Sequence, residues 1–341
     1  MKFIIENLEA EIIFSKNLLT KLDQDENNVY IIDAKVFELF SATLSPIKDH
    51  SRIFKLEAYE QNKNLDTLQK IYKFMKVNNV NRNNLIIGIG GGVTTDITAF
   101  ASATYKRGCR LTLVPTTLLG MVDAAIGGKT GVNFDNIKNG IGCFYPAEKV
   151  IIDTDFLETQ QKADYRDGFV EIIKMSFLPN SNLAEMLFNE QNIEGIIKET
   201  IRTKMELCQQ DLHDRSYRRL LNLGHTFGHV LESISNYKIT HGTAVAIGIR
   251  AAVRFSLQKG FIDISVCEQI ERKLDLFDLP ASFPSKYLSQ LLDNGASILK
   301  QDKKADHKIN LVLFKDLQEL FVYKTDNSTE VIKILHEFAD A

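Results

Sequence analysis

The run LIIGIGGGVTTDITAFASATYKRGCRLTLVP, residues 85–115, decides how the chain is read. Leu85 to Gly90 is a short apolar run with the character of a buried strand. Gly90-Gly91-Gly92 turns the chain, and Thr94 to Tyr105 has helical character. Leu111-Thr112-Leu113-Val114-Pro115 is a further strand, stopped by proline. Strand, glycine turn, helix, strand is the repeating unit of a parallel α/β sheet. Working outward, Val29 to Asp33 reads as another buried strand, ending in an acid. Residues 65–77 carry Leu65, Leu68, Ile71, Tyr72 and Met75 at helical spacing, and an Asn-rich stretch, 78–84, ends that helix. Beyond about residue 160 the pattern changes to helices over 165–178, 182–212, 216–235, 241–260 and 264–277, with a strand returning at 309–313. The expected fold is α/β: a Rossmann-like parallel-sheet domain over 1–160 and a mostly α-helical domain over 161–341. No internal repeat or low-complexity tract interrupts them.

Composition narrows the class. The 341 residues carry a formal net charge of −3, against an overall basic surface that coats nucleic acid. Apolar residues at 44% and charged ones at 25% give ample material for a core, which excludes disorder as the main state. Cys109, Cys143, Cys208 and Cys267 form no CxxC pair, so neither a zinc ribbon nor a dithiol redox motif is available. Free thiols, an acid-interrupted N-terminus and no long uncharged apolar run lead to the expectation of a cytoplasmic protein without a membrane partner.

Three segments carry chemistry. Glycines at 90–92, between a strand and a helix, let backbone approach a pyrophosphate, and the helix N-terminus offers free N–H groups. Asp96 there either meets a ribose hydroxyl or caps the helix. Thr116 and Thr117 stand at the next strand's carboxyl end, where ligands gather in open sheets. Second, residues 127–142 hold two lysines (Lys129, Lys138), Asn139 and five glycines. The spacing is not that of a P-loop, which rejects a nucleoside triphosphatase and leaves a flexible, donor-rich anion loop. Third, Asn222-Leu-Gly-His225-Thr-Phe-Gly-His229 puts two histidines on one helix face, and His241 follows. Three histidines and a carboxylate suit zinc, with Glu171 among apolar neighbours as the best donor. Spacing leaves open which two histidines bind. Lys174 shares a helix face with Glu171.

Together the motifs at 90–108, 114–134, 138–146 (KNGIGCFYP), 168–174 (GFVEIIK), 220–232 (LLNLGHTFGHVLE), 241–248 (HGTAVAIG) and 302–304 (DKK) resemble the 3-dehydroquinate synthase family of sugar phosphate cyclases. The resemblance implies a two-domain, NAD- and zinc- (or cobalt-) dependent enzyme acting in a cleft between domains. NAD would lie against Gly90, Gly91, Gly92 and Asp96, near Thr116 and Thr117, with Asp33, Glu60 and Lys63 on the adenosine side and Asp123, Lys129 and Lys138 also in reach. The implied metal ligands are Glu171, His225 and His241, and His229 is left to move protons. Asp123, Lys129, Lys174, Lys204 and Asn222 would contact substrate. Asn139, Arg218, Lys303 or Lys304, and Arg107 from a second subunit of a homodimer would hold phosphate. The implied reaction takes 3-deoxy-D-arabino-heptulosonate 7-phosphate to 3-dehydroquinate and phosphate. It runs by transient oxidation, phosphate elimination, re-reduction and intramolecular aldol closure, in the shikimate route to aromatic amino acids. The chain departs from the family pattern at Ala99, Met175, Ser176 and Thr243, and over Asp211-Leu212-His213-Asp214. The competing readings are a cyclase for another heptulose phosphate, such as sedoheptulose 7-phosphate, a metal-dependent polyol dehydrogenase, and a non-enzymatic regulator.

Overall fold

A computed structural model describes residues 1–5, 8–16, 25–47, 51–135, 137–189, 192–301 and 308–340. Lys303 and Lys304 lie outside the described residues. Two compact units emerge: Met1–Gly168 with Lys204–His213, and Phe169–Thr203 with Asp214–Ala341. The expected division at 160/161 is therefore displaced, and 204–213 joins the first unit. The local reasons are packing and charge. A Cβ at Gly168 would stand 2.5 Å from the Leu119 nitrogen, and Lys204 is ion-paired with Asp123.

Unit 1 is built on a seven-stranded sheet of β1 (Lys2–Ile5), β2 (Leu8–Phe14), β3 (Val29–Asp33), β4 (Ile53–Leu56), β5 (Leu85–Gly90), β6 (Arg110–Pro115) and β9 (Lys149–Ile152), in the order β1-β2-β9-β6-β5-β3-β4. Every pairing is parallel except β1 with β2. Val29 to Ile32, Ile86, Ile87 and Ile89 are fully buried, as expected for strands covered on both faces. The chain runs from β3 outward to β4, then returns to β5 on the other side of β3. The strand order reverses there, so the crevice at the carboxyl ends of β3 and β5 is the place where open sheets take ligands. Asp33 ends β3 and Gly90 ends β5, so close that a Cβ on Gly90 would lie 3.0 Å from that of Asp33. Helices α1 (Ala34–Leu39), α2 (Leu65–Val77) and α3 (Gly92–Thr104) follow these strands, and Leu68, Ile71 and Met75 of α2 enter the core beside Ile86, Ile97 and Phe100.

The anion loop is a correction. Residues expected as flexible loop form a two-stranded hairpin, β7 (Lys129–Phe134) and β8 (Ile137–Phe144). Its glycines serve strand approach: a Cβ at Gly131 would lie 2.6 Å from the Ile141 carbonyl oxygen, and one at Gly142 2.3 Å from that of Thr130.

Unit 2 draws on the helices α4 (Lys162–Met175), α5 (Leu183–Asn189), α6 (Ile193–Gln210), α7 (His225–Ile234), α8 (His241–Gln258), α9 (Ile264–Leu276), α10 (Leu288–Gln301) and α11 (Ser328–His336), with a hairpin of β10 (Ile309–Asp316) and β11 (Glu319–Thr325). The single helix expected over 182–212 is two, broken before Ile193. The one expected over 216–235 opens as a tight turn, Tyr217–Asn222, and begins again after Gly224, whose φ of 77° ends any continuous helix. Packing of α7 on α8 is close. A Cβ on Gly248 would fall 2.0 Å from the Gly224 carbonyl oxygen, and one on Gly228 3.1 Å from the Ala244 backbone. These glycines let α7 and α8 pack side by side, and the histidine that begins each helix brings its ring centroid within 5.3 Å of the other.

Candidate functional site

In unit 2, α4 delivers Glu171, α7 delivers His225 and α8 delivers His241. One donor atom from each lies within 4.8 Å of the others. Both imidazole Nε2 atoms face Glu171 Oε1, from His225 at 3.7 Å and from His241 at 3.5 Å. That oxygen is buried and, among the described residues, has no hydrogen-bond partner. The other carboxylate oxygen accepts from Lys174, whose side chain is 1% exposed. Burial pushes the Glu171 carboxyl up, but the Lys174 ammonium and the two imidazoles outweigh it and hold it well below the usual range. Burial and the nearby ammonium of Lys174 drive His225 down to about 3. Burial lowers His241 too, but its contacts with Glu171 and Glu232 prevail and raise it to about 9. His225 is thus neutral, with Nδ1 on the Leu223 carbonyl at 3.1 Å.

A stranded carboxylate oxygen facing two ring nitrogens fits a divalent cation. Two histidines and one carboxylate form a known donor set of catalytic zinc, which keeps a further position open. His229, one turn along α7, falls outside the set. It is exposed and lines a cavity of about 210 Å³ with Asp214, Arg219, Asn222, His225, Thr226 and Asn310. Arg218 is 1% exposed and is not in that lining, where Arg219 stands instead.

In unit 1, the glycine turn opens α3 with Gly91 as a cap that has no side-chain acceptor, leaving first-turn N–H groups for a ligand. Asp33 caps α1 by accepting from the Lys35 N–H at 2.9 Å. Burial pushes its carboxyl up, against those backbone donors. Thr116 donates its N–H to the Gly90 carbonyl at 3.0 Å, and Thr117 Oγ1 accepts from the Gly120 N–H at 3.1 Å.

Residues expected on the adenosine side, Glu60 and Lys63, are linked in one network with Asp96 and Asn139. Lys63, 4% exposed, ion-pairs with Asp96 and donates to Asn139 Oδ1 at 2.5 Å. Asn139, in left-handed backbone at φ 53°, donates its N–H to Asn133 Oδ1 at 2.8 Å. Asn133 in turn donates to Glu60 Oε1 at 2.8 Å. Thr130 donates to the Asp96 carbonyl. Asp96 therefore meets a lysine rather than serving as a helix cap. Its carboxyl is pushed up by burial, with Lys63 opposing. Lys204 donates to the Asp123 carbonyl at 2.6 Å and pairs with its carboxylate. Lys129 is exposed, Lys138 is half-buried, and Arg107 is exposed in left-handed backbone at φ 67°. Asn133 and Thr130 escaped the sequence reading; their signal is that they belong to the same hairpin as Lys129 and Asn139.

The chain matches the family models for the N-terminal part of 3-dehydroquinate synthase over residues 53–167 and the C-terminal part over 168–305. It is 34% identical over 330 residues to the 3-dehydroquinate synthase of Clostridium tetani, covering 93% of this chain and 87% of that protein. Among solved structures it resembles 2-deoxy-scyllo-inosose synthase complexed with carbaglucose-6-phosphate, NAD+ and Co2+. The TM-score is 0.83 at 21% identity, over 99% of each chain. It also resembles the Streptomyces hygroscopicus 2-epi-5-epi-valiolone synthase with NAD+ and Zn2+ bound, with TM-score 0.81 and 24% identity over 96% of each chain.

Proposed function

The chain belongs to the 3-dehydroquinate synthase family, and from that premise we propose that it converts 3-deoxy-D-arabino-heptulosonate 7-phosphate into 3-dehydroquinate and phosphate. The carrying observation is the Glu171, His225 and His241 cluster around a carboxylate oxygen that has no hydrogen-bond donor among the described residues. Glu171, His225 and His241 would hold zinc or cobalt, and the β5–α3 turn would hold NAD. When bound, the nicotinamide supplies a reversible hydride acceptor and the cation polarises an alcohol oxygen.

This chain's own residues do the rest. Lys174 keeps Glu171 ionised and leaves one oxygen for ligation. His229, on the cavity wall, moves protons to and from the substrate. Asn222 and Arg219, lining the same cavity, and Lys129, Lys138 and Asn139 on the hairpin supply donors for the hydroxyl, carboxylate and phosphate groups of a sugar acid. Lys63 holds Asn139 in place from the cofactor side. Asp123 and Lys204 present a paired acid and ammonium to the substrate. Arg218, Arg107 and one of Lys303 or Lys304 complete the phosphate set, Arg107 from the second subunit of a homodimer. Among the described residues no helix is long and apolar enough to cross a membrane, in keeping with a cytoplasmic biosynthetic enzyme.

The test is a substrate panel on protein supplied with NAD+ and Zn2+. The heptulosonate phosphate should release phosphate far faster than sedoheptulose 7-phosphate. Preference for the latter would assign a different cyclase, and net NADH from a simple polyol would assign a dehydrogenase.

A further inference from the structure

The two ligand histidines are anchored by different chemistry. His225 Nδ1 meets a neutral backbone carbonyl, that of Leu223. His241 Nδ1 meets a carboxylate, Glu232 Oε1, at 3.4 Å. Glu232 lies on α7 two turns after His225, so both occupy one face of that helix. It is 3% exposed, among Val230, Leu231 and Ile234, which are also buried. An ionised carboxylate in such surroundings is costly unless it serves a partner. Its place is set by backbone. The Glu232 carbonyl accepts from the Tyr237 N–H at 2.8 Å and from Ser235 Oγ at 3.0 Å. The Gly228–Ala244 contact fixes α7 against α8.

We propose that Glu232 is a positioning residue for the metal site: it accepts the Nδ1 proton of His241, selects the tautomer that leaves Nε2 free, and aims that nitrogen at the space beside Glu171. The inference rests on the reading of Glu171, His225 and His241 as metal ligands. Its physical content is that a carboxylate behind an imidazole fixes ring orientation and raises ligand basicity more than a neutral carbonyl does. Partners of this kind are worth roughly 10–100-fold in metal affinity. His241 is therefore backed by a charged partner at Nδ1, and His225 by a neutral one.

The test uses the full chain, titrated with Zn2+ against a competing chelator and with Co2+ followed by its visible absorption. Glu232→Gln keeps the shape and an acceptor but loses the charge, and should weaken Zn2+ binding about 10-fold. Glu232→Leu should weaken it toward 100-fold, and both should shift the Co2+ absorption. NAD+ affinity and far-UV circular dichroism should match the parent protein. His225→Ala, which removes a ligand, is the reference for complete loss. If His225→Ala loses metal while both Glu232 variants keep parental affinity and Co2+ absorption, the positioning role is overturned and the ligand set stands. If the parent protein binds neither ion, the ligand reading fails first. If Glu232→Gln loses NAD+ binding and helical signal together with metal, Glu232 is structural and the proposal is overturned.

Discussion

Two buried carboxylates, one in each unit, behave in opposite ways. Glu171 in unit 2 is held well below the usual carboxylate range, whereas Asp96 in unit 1 is pushed up. Burial acts upward on both. The difference is company. Glu171 has Lys174 and two imidazoles around it, and still keeps one oxygen without a donor. Asp96 has Lys63 beside it, with Glu60 and Asp123 acting against it. Cations thus outweigh burial at one site and fall short at the other. The Glu171, His225 and His241 group in unit 2 could hold a further cation, while in unit 1 the acids Asp96 and Asp123 are each already matched by a lysine.

The contrast is broken most severely at the proposed ligands. His225→Ala should abolish metal binding and activity while NAD+ affinity stays within about twofold, an outcome that calorimetry with each ligand separately would check; the expected separation follows from the ligands and the glycine turn lying in different units. Metal-independent activity in this variant would dissolve the contrast. Lys174→Met comes next. Removing one partner of a buried pair costs about 3–5 kcal/mol, so the metal-free variant should unfold at much lower denaturant. Zinc at a hundredfold its Kd stabilises by about 2.7 kcal/mol, so loading should restore much of the loss. An equal loss with and without zinc would show that Lys174 acts apart from the metal site.

Lys63→Met should be milder, about 1–3 kcal/mol for an unsatisfied buried group, because Asp96 can take up a proton. A carboxyl whose folded pKa exceeds the unfolded value binds its proton more tightly when folded. Stability then falls as pH rises from the ordinary value of 3.8 through the folded one. Removing Lys63 widens that window, so the variant's deficit, read from urea melts, should be larger at pH 7 than on the acid side. The last effect, confined to a change of pH with no substitution, concerns His241. With its pKa raised to about 9, metal must displace a proton, so below that pH apparent zinc affinity should fall about tenfold per unit. Calorimetry in buffers of different ionisation enthalpy should show about one proton released per ion at neutral pH.

The parts legible in the sequence were those with a periodic or steric signature. The apolar run from Leu85 and the glycines at 90–92 gave both strand and turn. Glu171 was visible because a carboxylate amid Phe169, Val170, Ile172 and Ile173 needs a reason. Residues 127–142 misled because glycine beside lysine looks like loop, whereas Gly131 and Gly142 admit a neighbouring strand. The histidine choice was not legible from spacing. It depends on Gly224, Gly228 and Gly248 bringing α7 against α8, which places His225 and His241 together and leaves His229 a turn away. Glu232 has no local pattern to announce it, because its partner His241 stands nine residues on, at the start of the next helix. The strands β1 and β2 were missed for a plainer reason: the acids in MKFIIENLEAEIIF obscure their apolar runs.

The central claim is a reaction that borrows a hydride and gives it back. It is tested most directly by following phosphate and NADH together in one reaction of protein, Zn2+, NAD+ and 3-deoxy-D-arabino-heptulosonate 7-phosphate. Multiple turnovers of phosphate with no net NADH are expected. NADH accumulating in step with turnover, or no phosphate from folded, metal-loaded protein, would contradict it.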